Sequence, residues 1–262
     1  MTTVAVIPAR YGSSRLPAKA LARQTGKYLV QHVYERVALA QRVDRVIVAT
    51  DDERIVRAVN SFGGEVRMTQ ASHPNGTSRV AELARSLSLE RDDLVLNVQG
   101  DEPEIDPGVI DRLVQAMRDH SRQWPIGTAA APFPADGPCE GPGSPADPGC
   151  VKVVCDAGGR ALYFSRSLVP FPRSSAGRVD DPSRWLQHMG LYAFRAGVLI
   201  DLAALPQQDD CSLDVTESLE QLAWLWAGLA IGVVIVEEAS RGIDTPEDYA
   251  AFVRRTQPQS LV

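Results

Sequence analysis

Lysine is nearly missing from this 262-residue chain: of 27 basic residues only Lys19, Lys27 and Lys152 are lysine. Arginine serves elsewhere, so these three are candidates for roles that need a compact ammonium rather than a planar fork. The net charge is −6, which argues against a bulk nucleic-acid binder, whose domains carry a basic surface. No apolar run approaches the length of a membrane span. A secretory signal pattern is also missing, because the apolar stretch Val4–Ala9 is short and runs straight into Arg10. The expected location is therefore the cytoplasm, away from membranes. The four cysteines, Cys139, Cys150, Cys155 and Cys211, have neither paired C-x-x-C zinc spacing nor the density of a disulfide framework. They are expected to be buried or incidental thiols, since an intracellular chain would not keep a Cys139–Cys150 bridge oxidised. P-loop and dinucleotide glycine spacings are both absent.

What is present begins with Val4 to Lys19. A short apolar run suits a strand buried on both faces of a sheet. The loop after it holds one glycine, two serines and three cations, Arg10, Arg15 and Lys19. A buried strand ending in N–H groups and positive charge makes a cradle for a polyphosphate; the plainer alternative is a surface loop with scattered basic residues.

From Val4 to about Ala131 apolar runs alternate with helical patterns. Arg45–Thr50 and Asp93–Val98 read as buried strands. Helices are expected around Leu29, Val30, Val33, Val37 and Ala40, around Ile55, Val56, Val59 and Phe62, around Val80, Leu83, Ala84 and Leu87, and around Val109, Ile110, Leu113 and Met117. This alternation implies right-handed crossovers and a mainly parallel sheet, in which ligands sit beyond the carboxyl ends of the strands. Residues 132–149 are dense in Pro and Gly and read as a flexible excursion without secondary structure. A β-hairpin is expected over 151–165, strands over 191–194 and 231–236, and a helix through Leu219, Leu222, Ala223 and Trp226. Thr245-Pro246-Glu247-Asp248 has the residues of a capped helix start. The fold class is α/β, a mainly parallel Rossmann-like sheet with flanking helices and a smaller mixed α/β lobe. Residues 1–131 are expected to form a ligand-binding core, 132–149 the loop, 150–240 a lobe suited to cover the ligand cleft or supply a dimer contact, and 241–262 a segment returning to the core.

Three clusters carry chemistry. Gln99-Gly100-Asp101-Glu102-Pro103 follows a buried strand, so Asp101 sits where Mg²⁺ would be needed beside phosphates; the ion binds through one or two carboxylates plus substrate oxygens. A turn aspartate bonding its own backbone is the alternative. Asp244, just before the last helix, is a second metal candidate or a capping residue. His73-Pro74-Asn75-Gly76-Thr77-Ser78-Arg79 places small polar groups at a helix entrance, suited either to reading a base edge or to starting the helix. On the later part of the chain His188 is a candidate hydrogen-bonding or core histidine, and Glu220 and Gln221 are adjacent, so one at most faces a given ligand atom.

These stretches together resemble the 3-deoxy-manno-octulosonate (Kdo) cytidylyltransferases along nearly the whole chain. The matching pieces are Pro8-Ala9-Arg10-Tyr11 with Arg15-Leu16-Pro17 and Lys19, Ala49-Thr50-Asp51, His73 with Gly76-Thr77 and Arg79, and Val98 to Pro103. Tyr163 to Arg166, His188 with Gly190 and Tyr192, Glu217 to Leu222, and Gly242 to Asp248 complete the series. The resemblance implies CTP and a small acidic acceptor as substrates, Mg²⁺ as cofactor and a homodimer. Arg10, Lys19 and Asp101 are then catalytic, and Asp101 and Asp244 bind the metal. CTP is held by Pro8, Ala9, Arg10, Ser13, Arg15, Lys19, His73, Asn75, Gly76, Thr77, Arg79 and Gln99. The acceptor faces Gln99, Arg166, His188, Tyr192, Glu220 and Gln221. The chain departs from the family pattern in four places. Ala18 stands where the family has Gly, Asn75 where it has Ser, and Ala223 where it has Arg; 147–153 replaces an Asn-Pro-Asn-Val-Val-Lys-Val segment. Ala223 and the rewritten segment bear on the acceptor, so the expected acceptor is Kdo or a related sugar acid, with a small phosphonate such as phosphonoformate as the alternative. A CTP-binding module without transfer activity is the reading from another class.

Overall fold

The structure, a computed structural model, describes residues 1–12, 16–121, 123–203 and 212–256. In chain order the elements are β1 (Thr3–Ala9), α1 (Leu29–Val37), β2 (Arg45–Thr50), α2 (Glu53–Ser61), β3 (Val66–Met68), α3 (Gly76–Ser86), β4 (Leu94–Asn97) and α4 (Pro107–Asp119). They continue with β5 (Ile126–Pro132), β6 (Lys152–Cys155), β7 (Ala161–Ser165), β8 (Leu186–Arg195), α5 (Ala196–Leu202), α6 (Ser212–Glu217), α7 (Gln221–Trp226), β9 (Ile231–Ile235) and α8 (Pro246–Thr256). The chain divides into two compact units, each discontinuous in sequence. The first comprises Met1–Asp111, Arg195–Ala203 and Ser240–Val262, the second Arg112–Phe194 and Ala204–Ala239. The division enters α4 after Asp111, and β5 belongs to the second unit rather than to the core assigned from sequence. Among the described residues no helix is long and apolar enough to cross a membrane.

In the first unit four strands lie side by side in the order β3-β2-β1-β4, all parallel. Val4, Ala5, Val6 and Ile7 of β1 and Leu94, Val95 and Leu96 of β4 are fully buried, as runs of apolar residues on both faces require. From β1 the chain winds outward through β2 to β3, then returns past β1 to make β4. The strand order therefore reverses between β1 and β4, which opens a crevice at their carboxyl ends. Gly100 is obligatory there, because a Cβ on it would lie 2.9 Å from the Pro8 carbonyl oxygen. The helix at the C-terminus starts as its sequence predicts: Thr245 N donates to Asp248 Oδ2 (2.9 Å) and Asp248 N to Thr245 Oγ1 (3.1 Å). Ile243, Tyr249 and Phe252 then pack against Leu29 with Leu16 and Ala22, holding this late segment against the first loop.

In that loop Ala18 has φ 55° and ψ 28°, a left-handed conformation just ahead of Lys19. Glycine adopts it without the Cβ clash that alanine meets.

The second unit pairs β5 antiparallel with β8 and parallel with β9, while β6 pairs antiparallel with β7 and β8. The expected hairpin is present; of the Pro- and Gly-dense stretch, Pro132 ends β5 and residues 133–149 carry no helix or strand. Asp147 ties that segment, accepting from Gly143 N (2.8 Å) and Gly149 N (2.7 Å). Cys139, Cys150 and Cys155 are free thiols. Lys152 is fully buried, and its ammonium donates to the carbonyls of Asp147 (2.9 Å), Cys150 (2.5 Å) and Arg166 (2.7 Å). Burial lowers its pKa, opposed by Cys150, Asp147 and Glu217. Three ammonium protons meet three carbonyls, so the charge is held without a carboxylate in direct contact.

His188 lies edge-on to Phe164 at 4.9 Å and near Tyr192 at 5.4 Å. The β5 bulge between Thr128 and Ala129 turns Thr128 inward: its hydroxyl donates to the Leu191 carbonyl (2.7 Å) and sits 3.0 Å from His188 Nε2. The hydroxyl has one proton, so it accepts from a neutral Nε2–H. Burial pushes the His188 pKa down to about 3.

Three outcomes are expected. Ala18→Gly should stabilise the chain by about 0.5–1 kcal/mol, read as a higher urea midpoint; an unchanged or lower midpoint would sink the strain assignment. Lys152→Met should cost about 2–4 kcal/mol, because three buried carbonyls lose their donor; a loss under 1 kcal/mol would show the clamp to be dispensable. His188 has a folded pKa below its unfolded value, so its contribution is whole above pH 6.5 and lost as pH falls toward 3. Stability should drop by about 2 kcal/mol more between pH 7 and 5 in the wild type than in His188→Gln; equal drops would contradict a neutral buried imidazole.

Candidate active site

In the first unit a cleft of about 430 Å³ opens at the carboxyl ends of β1 and β4. Pro8, Ala9, Arg10, Gly12, Lys19, Gln99, Gly100, Asp101 and Asp244 line it. A smaller recess of about 80 Å³ is lined by His73, Asn75, Gly76 and Arg79 and shares Pro8, Ala9, Arg10 and Gln99 with the cleft. Of the residues selected from sequence, Arg10, Lys19, Asp101 and Asp244 line the cleft, and His73, Asn75, Gly76 and Arg79 line the recess beside it. Ser13 and Arg15 lie outside the described residues.

Lys19 holds the cleft floor together. Its Nζ donates to Asp101 Oδ2 (2.7 Å) and to the Ile243 carbonyl (2.7 Å), with Asp244 Oδ1 at 3.4 Å. A backbone bond from Ile243 N to Asp101 O (2.8 Å) stitches the same two segments, and Asp244 N donates to Asp248 Oδ2 (3.1 Å). Two carboxylates from separate segments therefore share one cation, here the Lys19 ammonium. Among the described residues no group of three or more His, Cys, Asp or Glu side chains is placed to hold a metal. A pair of hard oxygen donors open to the cleft fits Mg²⁺, which takes one or two carboxylates and completes its shell with substrate oxygens and water. The chain's Asp101 and Asp244 fit that ion.

Glu102, next to Asp101, is buried and accepts from Ser240 Oγ (2.6 Å). Burial pushes its pKa up to about 7, with the Asp101 charge adding and the Ser240 bond opposing. Sequence alone had no signal for this, because Ser240 is 138 residues away.

His73 to Arg79 spans the entrance of α3, as expected from its small polar residues. Asn75 is the N-cap of α3, its side chain accepting from Ser78 N (2.8 Å), so Gly76 to Arg79 form the first turn. Thr77 points under the helix, where its Oγ1 lies 3.4 Å from Asn97 Nδ2, and it lines neither recess. Arg79 is buried, and its guanidinium donates to Thr69 Oγ1 (2.5 Å) and to Asp51 Oδ2 (2.9 Å). His73 Nε2 meets Glu82 Oε2; a carboxylate only accepts, so Nε2 carries the proton and Nδ1 is the other polar atom of the ring. Asp51, Thr69 and Glu82 are partners that the spacing of residues does not reveal, because each comes from a different element.

The acceptor candidates other than Gln99 belong to the second unit. Tyr192 is buried against Trp224 (5.1 Å, edge to face), and burial together with the Glu220 charge raises its pKa well above the usual value. Its phenol and the His188 imidazole are both neutral at physiological pH, so each offers hydrogen bonds rather than charge. Gln221 is buried at the start of α7, and Glu220 precedes it at the N-cap. Arg166 is spent on the main chain: its guanidinium donates to Glu217 O (2.7 Å), Pro148 O (3.0 Å) and Ser218 O (3.3 Å). It braces the turn before α7.

Residues 4–231 match the model of the cytidylyltransferase family. The chain is 46% identical to the 3-deoxy-manno-octulosonate cytidylyltransferase of Syntrophobacter fumaroxidans, over 97% of this chain and 96% of the relative. It is likewise 46% identical to the enzyme of that name from Syntrophotalea carbinolica, over 95% and 96%. Among solved structures it is similar to a CMP:2-keto-3-deoxy-manno-octonic acid synthetase complexed with CTP, with TM-score 0.85 and 39% identity over 97% of this chain and 98% of that one. A 4-diphosphocytidyl-2C-methyl-D-erythritol synthase from Anaerococcus prevotii shares the fold at 16% identity, with TM-score 0.60 over 98% and 96%. These likenesses set aside a binding module without transfer activity and make the chain a nucleotidyltransferase, one that belongs to the 3-deoxy-manno-octulosonate cytidylyltransferase family.

Proposed function

We propose that this enzyme joins CMP from CTP to 3-deoxy-manno-octulosonate and releases diphosphate, with Mg²⁺ held by Asp101 and Asp244. The observation that carries the reading is the convergence of Arg10, Lys19, Asp101 and Asp244 on one cleft at the β1 and β4 ends, in a chain whose full-length relatives bear that sugar acid in their names. An oxygen of the acceptor attacks the α-phosphorus; the bond to the β-phosphate oxygen breaks, and the electron pair leaves with diphosphate. Charge grows on the departing group, and preorganised cations aimed at it stabilise the transition state. Arg10 and Lys19 are the cations this chain supplies. Asp101 and Asp244 would hold the divalent metal, whose chemistry would be to supply further positive charge to the departing diphosphate and to polarise the reacting oxygens. His73, Asn75 and Arg79 line the recess assigned to cytosine, with Arg79 fixed by Asp51 and Thr69 so that its orientation is set before the base arrives.

Within the second unit the acceptor candidates are Tyr192, His188 and Gln221, which offer neutral hydrogen-bonding groups rather than charge. The phosphonate alternative draws no support from the relatives named above, and Ala223 is half-buried on α7, where a lost arginine need not mark a new acceptor.

Diphosphate release with CTP and Mg²⁺ should saturate with 3-deoxy-manno-octulosonate and stay at background with phosphonoformate; the reverse ranking would overturn the acceptor. Asp101→Asn should lower kcat by roughly 10²- to 10³-fold with an unchanged circular dichroism spectrum, and full activity in that variant would remove Asp101 from the metal site.

A further inference from the structure

Lys19 has a double claim on it. The cleft needs its ammonium at the triphosphate, yet its three donor directions are taken up by Asp101 Oδ2 and the Ile243 carbonyl, each at 2.7 Å, and by Asp244 Oδ1 at 3.4 Å. Two carboxylates and a carbonyl are the donor set of a cation site, and the ammonium sits in the middle of it. An ammonium has three N–H donors, so reaching a phosphate oxygen requires releasing at least one of these partners.

We propose that the Lys19 ammonium and the divalent cation are alternative occupants of the Asp101–Asp244 pair, so that the metal takes its place only as nucleotide phosphates draw Lys19 away. This rests on the metal-dependent cytidylyltransferase reading given above. The electrostatics run one way. A divalent ion brought to the same carboxylates would face a unit positive charge within a few ångströms, in a cleft that screens less than bulk water. A triphosphate supplies the missing partner for Lys19 and several oxygens for the metal at once. Ammonium and metal then stand side by side on opposite charges instead of competing for the same two. Binding of nucleotide and metal is therefore positively coupled, and by linkage each strengthens the other.

The backbone is built for a side-chain exchange of this kind. Lys19 N donates to Leu16 O (3.2 Å) and Leu21 N to Ala18 O (2.8 Å), which pins the Cα in a short 3₁₀ turn and leaves the four-carbon stem as the moving part. The Ile243 N to Asp101 O bond (2.8 Å) keeps the two metal-binding segments together when the ammonium departs. In the resting enzyme Lys19 serves as an internal counter-ion that stops the two carboxylates from repelling each other.

The test uses Mn²⁺ as the probe, with nucleotide absent and the unbound ion measured by electron paramagnetic resonance. Wild-type protein should bind Mn²⁺ weakly, with Kd above about 1 mM, and Lys19→Met at least about tenfold more tightly. Circular dichroism establishes that the variant is folded. A Lys19→Met protein that binds no more tightly than wild type overturns the exchange. Micromolar binding by the wild type alone also overturns it, and that measurement decides the matter even if the variant does not fold. The gain should vanish in Lys19→Met/Asp101→Asn. If it survives there, the carboxylate pair is not the cation's seat and the metal assignment under the proposed function fails as well, whereas a failure confined to Lys19→Met leaves that assignment standing.

Discussion

One ammonium ties together three parts of the first unit that are far apart in sequence. Lys19 follows β1, Asp101 follows β4, and Ile243 and Asp244 precede α8, and all meet at Nζ. Two carboxylates facing one point without a cation would repel each other across the floor of the cleft. The lysine removes that cost and fixes the floor of the cleft. Its scarcity elsewhere in the chain is consistent with the role: an arginine fork could not sit among three acceptors that surround a point.

The sheet makes the meeting possible. β1 and β4 are apolar on both faces and fully buried, so their register is rigid, and the loops leaving them start from fixed points. The reversal of strand order between them puts those loops on either side of one crevice. The helix cap at Thr245 and Asp248 supplies the third fixed point, because Asp248 accepts from the Asp244 backbone as well as from Thr245. Burial thus sets where the charges stand, and capping sets which way the last one faces.

Much of this was legible from residues alone, and the reasons differ by element. β1, β2 and β4 announced themselves as apolar runs, since a strand covered on both faces has no polar position to hide. The α8 start was readable because a capping pair is local. β3 was not, being three residues long with Arg67 and Met68 exposed, nor was β5, whose Ala, Gly and Thr residues lack the bulk that marks a strand. The start of α3 was legible only as one of two alternatives, because Asn75 suits a turn and an N-cap equally. The Asp51, Thr69 and Glu82 contacts join residues from different elements, and no local pattern records such a meeting.

The departures from the family pattern sort themselves by the kind of contact each position makes. Asn75 is an N-cap, where serine and asparagine accept the same backbone N–H, so that exchange is neutral to the fold. In 147–153 the carboxylate of Asp147 does what an asparagine side-chain oxygen would do, accepting from Gly149 N. Among the described residues the Lys152 ammonium bonds main-chain carbonyls alone, so the side chains around it are free to change while the clamp persists. Ala18 is different: the position requires a left-handed backbone, and alanine holds it at a conformational cost that glycine would not incur. That cost falls on the residue just before Lys19, and it restricts the backbone next to the one side chain whose movement the nucleotide site depends on.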